Sequence, residues 1–93
     1  MRYQDMPEDE RALSFPTPFP VKAMGKAGGD VRAALLAVLA DNQVLYRDED
    51  ISEQASRTGK YISITVIIQA ESRQQLDHVY EQLADHPEVA MTL

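Results

Sequence analysis

The residues best suited to chemistry lie in one short stretch, Gly25-Lys26-Ala27-Gly28-Gly29-Asp30. A glycine-rich loop that opens a helix can present free backbone N–H groups to an anion. Lys26 would add a positive charge. The spacing is not that of a phosphate-gripping P-loop, which places four residues between its first glycine and a Gly-Lys-Ser/Thr. Asp30 at the helix start would repel phosphate. Two readings stay open for Gly25, Lys26, Gly28, Gly29 and Asp30: a tight capped turn, or contact with a small anionic metabolite. In the second, a side chain at Gly28 is expected to block close backbone approach.

Other chemistry-bearing residues are scattered. His78 falls off the apolar stripe of its helix and His86 marks the helix end, so both are expected at the surface rather than converging on a metal. The acidic run Asp48-Glu49-Asp50 with Glu53 lacks the alternating ligands and glycine of a calcium loop and reads as solvated. Ser56 and Ser63 have no histidine near them in the chain. No carboxylate pair stands on an apolar face that would tune its pKa. No metal, no cofactor and no enzymatic activity are expected.

The chain has 93 residues, which suits one small domain. Its net charge is −6, and the segment to Ser14 supplies −2 of it. Nucleic-acid affinity comes largely from basic phosphate contacts, so nucleic acid and acidic membranes are poor partners for this composition. Cysteine is absent, which excludes disulfides and thiolate metal sites. No run approaches the roughly 20 apolar residues of a membrane span. The N-terminus lacks the apolar core of a signal peptide. A cytoplasmic location is expected.

The elements that must position these residues follow from periodicity. Residues 1–14 are acidic, without clean period, and read as a flexible tail ahead of a domain over 15–93. Pro16, Pro18 and Pro20 hold the chain extended. From Phe19 to Lys26 the pattern alternates, with Phe19, Val21, Ala23 and Gly25 on one side and Lys22, Met24 and Lys26 on the other. A helix follows, capped by Gly29 or Asp30, with Val31, Ala34, Leu35 and Val38 inward and a stop at Asp41-Asn42. Residues 51–57 alternate weakly and suit an edge strand. Gly59 tips a turn. "YISITVIIQA" reads as a central strand, with Ile62, Ile64, Val66, Ile68 and Ala70 on one face and Tyr61, Ser63, Thr65, Ile67 and Gln69 on the other. Ser72 and Gln75 form a capping box for a second helix with the stripe Leu76, Val79, Tyr80, Leu83. "EVAMTL" closes as a strand with Val89, Met91 and Leu93 on one side. The order predicts an α+β fold, a ferredoxin-like βαββαβ sandwich, with a four-stranded antiparallel sheet and two helices on one face.

"FPTPFPVKAMGKA", "GKYISITV" and "VYEQLADHPEVAMTL" resemble the YbeD family of small bacterial proteins. The resemblance rests on Phe15, Pro16, Phe19, Lys22, Met24, Gly25, Gly59, Tyr61, Ser63, Tyr80, Leu83, Val89, Met91 and Leu93. It implies a fold similar to ACT regulatory domains, which bind amino acids and often place ligands near the first strand-to-helix loop. It also implies a tie to lipoate metabolism through gene neighbourhood in some bacteria.

The sheet face away from the helices is expected to be open. Lys22, Met24, Tyr61, Ser63, Thr65 and Ile67 should lie on it, with a modest apolar centre and a polar rim. RNA-recognition domains of this topology stack bases on several aromatics, whereas Tyr61 stands alone here. A binding or regulatory domain is therefore expected, docking another protein or a second copy through this face. The alternative is a metabolite sensor at the Gly25–Asp30 loop.

Overall fold

The computed structural model describes residues 14–92. The expected tail, up to residue 13, and Leu93 lie outside the described residues. The elements run β1 (Thr17–Lys26), α1 (Val31–Asp41), a 3-10 turn (Asp48–Asp50), β2 (Ile51–Ala55), β3 (Tyr61–Ala70), α2 (Arg73–Asp85) and β4 (Met91–Thr92). The sheet order is β2-β3-β1-β4 and every pairing is antiparallel. This is the ferredoxin-like βαββαβ sandwich. β1 begins at Thr17, two residues before the expected start at Phe19, so Pro18 and Pro20 lie within it and point outward.

Register fixes the faces. Val21 lies opposite Val66 and Ala23 opposite Ile64, and these residues are fully buried. Directly opposed residues of an antiparallel pair share a face, so Val21, Ala23, Ile64, Val66, Ile68 and Ala70 form one apolar floor. The helices cover it with Val31, Leu35, Val38 and Leu39 from α1 and Leu76, Val79, Tyr80 and Leu83 from α2. No polar or charged residue is buried among the described residues. Phe19 meets Tyr80 edge to face, with centroids 6.5 Å apart.

The caps refine the expectations. Ser72 Oγ accepts from the Gln75 N–H at 3.1 Å, while Gln75 Oε1 accepts from the Glu71 N–H rather than from that of Ser72. At the end of α1 the stop is Gln43, in the left-handed region at φ 56°. Its N–H reaches the Ala40 carbonyl, and the Val44 N–H reaches the Leu39 carbonyl, both at 3.0 Å. That is a Schellman closure, with Val44 tucked into the core behind it. Asn42 Nδ2 then bridges to Gln82 Oε1 at 2.7 Å and ties α1 to α2.

The last strand differs from expectation. A turn from the His86 carbonyl to the Val89 N–H delays it, so β4 has only two residues. Val89 packs against the core, whereas Met91 pairs with Met24 on the opposite side of the sheet.

Ile64→Ala should cost about 2–5 kcal/mol, because Ile64 is fully buried between sheet and helices. Denaturant unfolding would read this as a lower midpoint with unchanged slope. A second expectation concerns alkali. Burial pushes the Tyr80 phenol up from 10.0 to about 12. The folded value lies above the unfolded one, so the stability held by the neutral phenol is intact below pH 10 and is lost as pH rises to about 12. Tyr80→Phe should flatten that part of the stability–pH curve.

Candidate functional site

The Gly25–Asp30 loop is built around a crossing. The Ala90 N–H donates to the Met24 carbonyl at 2.7 Å and draws the segment after α2 across the end of β1. Gly25 lies beneath that crossing. A Cβ there would stand 2.5 Å from the Glu88 carbonyl oxygen and 2.6 Å from Val31 Cβ. Gly25 is therefore the position of close approach. Gly28 is different: a Cβ there would meet nothing within 4 Å, but its φ is +91°. Gly28 supplies a backbone conformation rather than room, so a side chain there strains the turn instead of blocking an approach. Gly29 closes the turn by donating its N–H to the Lys26 carbonyl at 3.0 Å.

The free amide at the start of α1 has a partner within the chain. Asp30 holds the N-cap position, yet its side chain makes no cap bond. Glu88 Oε1 accepts from the Asp30 N–H at 2.9 Å. The Glu88 backbone N–H in turn donates to His86 Nδ1 at 3.1 Å. A carboxylate at a helix N-terminus is favourable because it meets unpaired N–H groups and the positive end of the helix dipole. A hollow of about 450 Å³ remains beside the loop, bordered by Lys26, Ala27, Gly28, Gly29, Pro87, Glu88 and Ala90. His78 is exposed, as expected. Among the described residues no group of three histidine or acidic side chains converges on a metal position.

The open face collects the second set of candidates. Lys22 lies opposite Thr65, Met24 opposite Ser63, and Lys26 opposite Tyr61. Beyond β3, Ser52 faces Thr65 and Gln54 faces Ser63, while Met91 extends the row past Met24. Pro20 lies opposite Ile67, and Pro18 opposite Gln69, which is bridged to Leu45. All six expected residues, Lys22, Met24, Tyr61, Ser63, Thr65 and Ile67, thus share this side. Sequence reasoning missed Leu45 here, because one isolated bridge places it.

The four exposed large hydrophobic residues of the described chain are Leu45 (65% exposed), Met91 (51%), Ile67 (40%) and Tyr61 (39%). Register places all four on the open face. They do not form one centre, in contrast to the sequence expectation. Tyr61 and Ile67 are six positions apart in one strand, or about 20 Å at roughly 3.3 Å per residue. Leu45 and Ile67 border a shallow groove of about 390 Å³ with Pro18, Tyr46, Arg47, Asp50, Ile68 and Gln69. Met24, Met91 and Tyr61 make the other apolar end. Between them lies a polar waist, a depression of about 190 Å³ lined by Lys22, Ser52, Glu53, Gln54, Ser63 and Thr65.

Glu88→Ala should lower stability by about 1 kcal/mol, the usual net scale of one lost hydrogen bond. Asp30→Ala should cost less, since its side chain makes no cap bond. Thermal unfolding of the two variants side by side checks the assignment.

Comparison with known proteins places this architecture. Residues 10–93 match the family described as "Protein of unknown function (DUF493)". A UPF0250 protein of Nitrosomonas europaea is 38% identical over 85 residues, covering 91% of this chain and 98% of its own. Another from Xanthomonas oryzae is 38% identical over 84 residues, covering 90% and 91%. Neither name carries an activity. Among solved structures, the solution structure of protein HP0495 from H. pylori superposes with a TM-score of 0.72 over 95% of this chain and 94% of that one. At 15% identity that likeness concerns the fold alone. The chain belongs to the DUF493/UPF0250 family, the YbeD-like group that its phenylalanine-proline start and Lys-x-Met-Gly motif resemble.

Proposed function

We propose that this protein works by binding, as a small adaptor or regulator that docks another protein on its open sheet face. The observation that supports this most is the gathering of Leu45, Tyr61, Ile67 and Met91 on one side of the sheet. Single exposed apolar residues are common on protein surfaces, but several brought to one face with polar residues among them suit an interaction site. Methionines adapt to a partner's shape, and tyrosine is among the commoner hot-spot residues.

The alternative, a sensor of anionic metabolites at the Gly25–Asp30 loop, draws less support. One of the N–H groups at the start of α1, that of Asp30, already holds Glu88. An incoming anion would have to displace that carboxylate beside Asp30.

Cross-linked pull-downs from the native cytosol with wild-type, Tyr61→Ala and Leu45→Ala protein test the docking reading. Tyr61→Ala should stay folded and lose a partner's affinity by about 2 kcal/mol or more, roughly thirtyfold, if Tyr61 anchors the contact. Unchanged recovery of every partner by both folded variants would move the interaction away from this face.

A further inference from the structure

The open face has a charge asymmetry that its apolar residues do not explain. The chain carries 15 acidic residues against nine lysines and arginines. Yet none of the residues that the four strands turn to the open side is aspartate or glutamate. Lys22 and Lys26 are the charged ones. The acid of β2, Glu53, borders the polar waist, but it lies opposite Ile64, on the helix side of the register, and its carboxylate pairs with Arg32 of α1 at 3.6 Å. Asp50, beside the groove, is held by Arg47 through contacts of 3.1 and 3.3 Å. Lys22 has no such partner among the described residues. It stands at the polar waist, partly buried, beside Thr65 and Ser52.

We infer that the occupant of this face is an acidic segment of another protein, with a carboxylate over Lys22 and an apolar side chain to either side of it. This rests on the docking reading above and specifies its chemistry. Along β1 the rows follow one another two residues apart: Pro20 with Ile67, then Lys22 with Thr65, then Met24 with Met91. Two residues of strand span about 7 Å. An extended segment with apolar, acidic and apolar residues at alternate positions matches that spacing. Its carboxylate gains a charge-assisted bond from Lys22.

Other occupants fit less well. Two copies of this face would bring lysines together while the nearby carboxylates, Asp50 and Glu53, are already paired with Arg47 and Arg32, and like charges juxtaposed at an interface are unfavourable. Nucleic acid would meet one aromatic, Tyr61, and two lysines on the strands of a chain whose net charge is −6.

The test is a displayed library of random 12-residue peptides panned against the full chain. Selected peptides are then synthesised, and their binding to wild-type, Lys22→Glu, Lys22→Ala and Tyr61→Ala protein is measured by fluorescence polarisation. Circular dichroism confirms that each variant is folded. The expected peptides carry Asp or Glu with apolar residues within four positions on both sides. They weaken about tenfold or more with Lys22→Glu, less with Lys22→Ala, and weaken as salt is raised. Acid-free peptides that are lost with Tyr61→Ala would overturn the acidic partner and leave the docking face standing. Peptides indifferent to all the variants, or no binders at all, would overturn both. A single-stranded oligonucleotide or anionic lipid vesicles bound more tightly than any peptide, and released by Lys22→Glu, would replace the carboxylate with phosphate and overturn the proposal. So would dimerisation of the chain that Lys22→Glu abolishes.

Discussion

Ten consecutive residue pairs join β1 to β3, and the two-sidedness of the molecule depends on that ladder. Side chains alternate along a strand, so a slip of one residue would turn one strand's share of the floor, Val21 and Ala23 of β1 or Ile64, Val66 and Ile68 of β3, toward water. Burying it on the helix side leaves no freedom on the other side. Once Val66 is inside, Thr65 and Ile67 must be outside. Lys22 and Met24 follow from Val21 and Ala23 in the same way. The core therefore sets the composition of the open face, and the register locks their relative positions.

The second constraint is the crossing at the end of β1. The chain must return after α2 to lay β4 beside β1, and it passes over Gly25 to do so. That passage brings Glu88 to the start of α1, where its carboxylate accepts from the N–H of the N-cap residue Asp30, the bond that the second partner of a capping box makes. One carboxylate thus joins the last segment of the fold to its first helix, 58 residues apart in sequence. In the Gly25–Asp30 loop the N–H groups of Ala27 and Gly29 bond backbone carbonyls, and that of Asp30 bonds an anion that belongs to the chain.

The fold was legible because its signals are local and mutually consistent. Alternation in "YISITVIIQA", helical spacing in both helices and the serine–glutamine cap each point to the element observed. What was hidden depends on contacts far apart in sequence or on unusual residues. The stop of α1 uses Gln43 at positive φ, where glycine or asparagine is the usual signal. Leu45 reaches the open face through one bridge to Gln69, which no periodicity reveals. The different roles of Gly25 and Gly28 depend on Glu88 and Val31, so composition alone could not separate close approach from turn geometry. The six face residues were legible, but their division into two apolar ends about a polar waist needed the cross-strand neighbours.

Strand preference alone does not produce the charge pattern of the open face. Aspartate and glutamate are depleted in strands generally, which accounts for few acids on any sheet face. Lysine is depleted too, yet β1 turns two lysines outward. Charges on exposed strands also deter edge-to-edge aggregation, and lysine is the usual choice at a sheet edge. The one acid of β2 meets that need from the helix side, where Arg32 balances it. Propensity selects no sign, and edge protection favours lysine on edge strands, whereas Lys22 stands on β1, between β3 and β4. A face that gathers the exposed apolar residues, and whose strands turn lysines but no acid outward, suits the acidic, apolar segment proposed above, and that sign is the part of the pattern that strand propensity leaves unexplained.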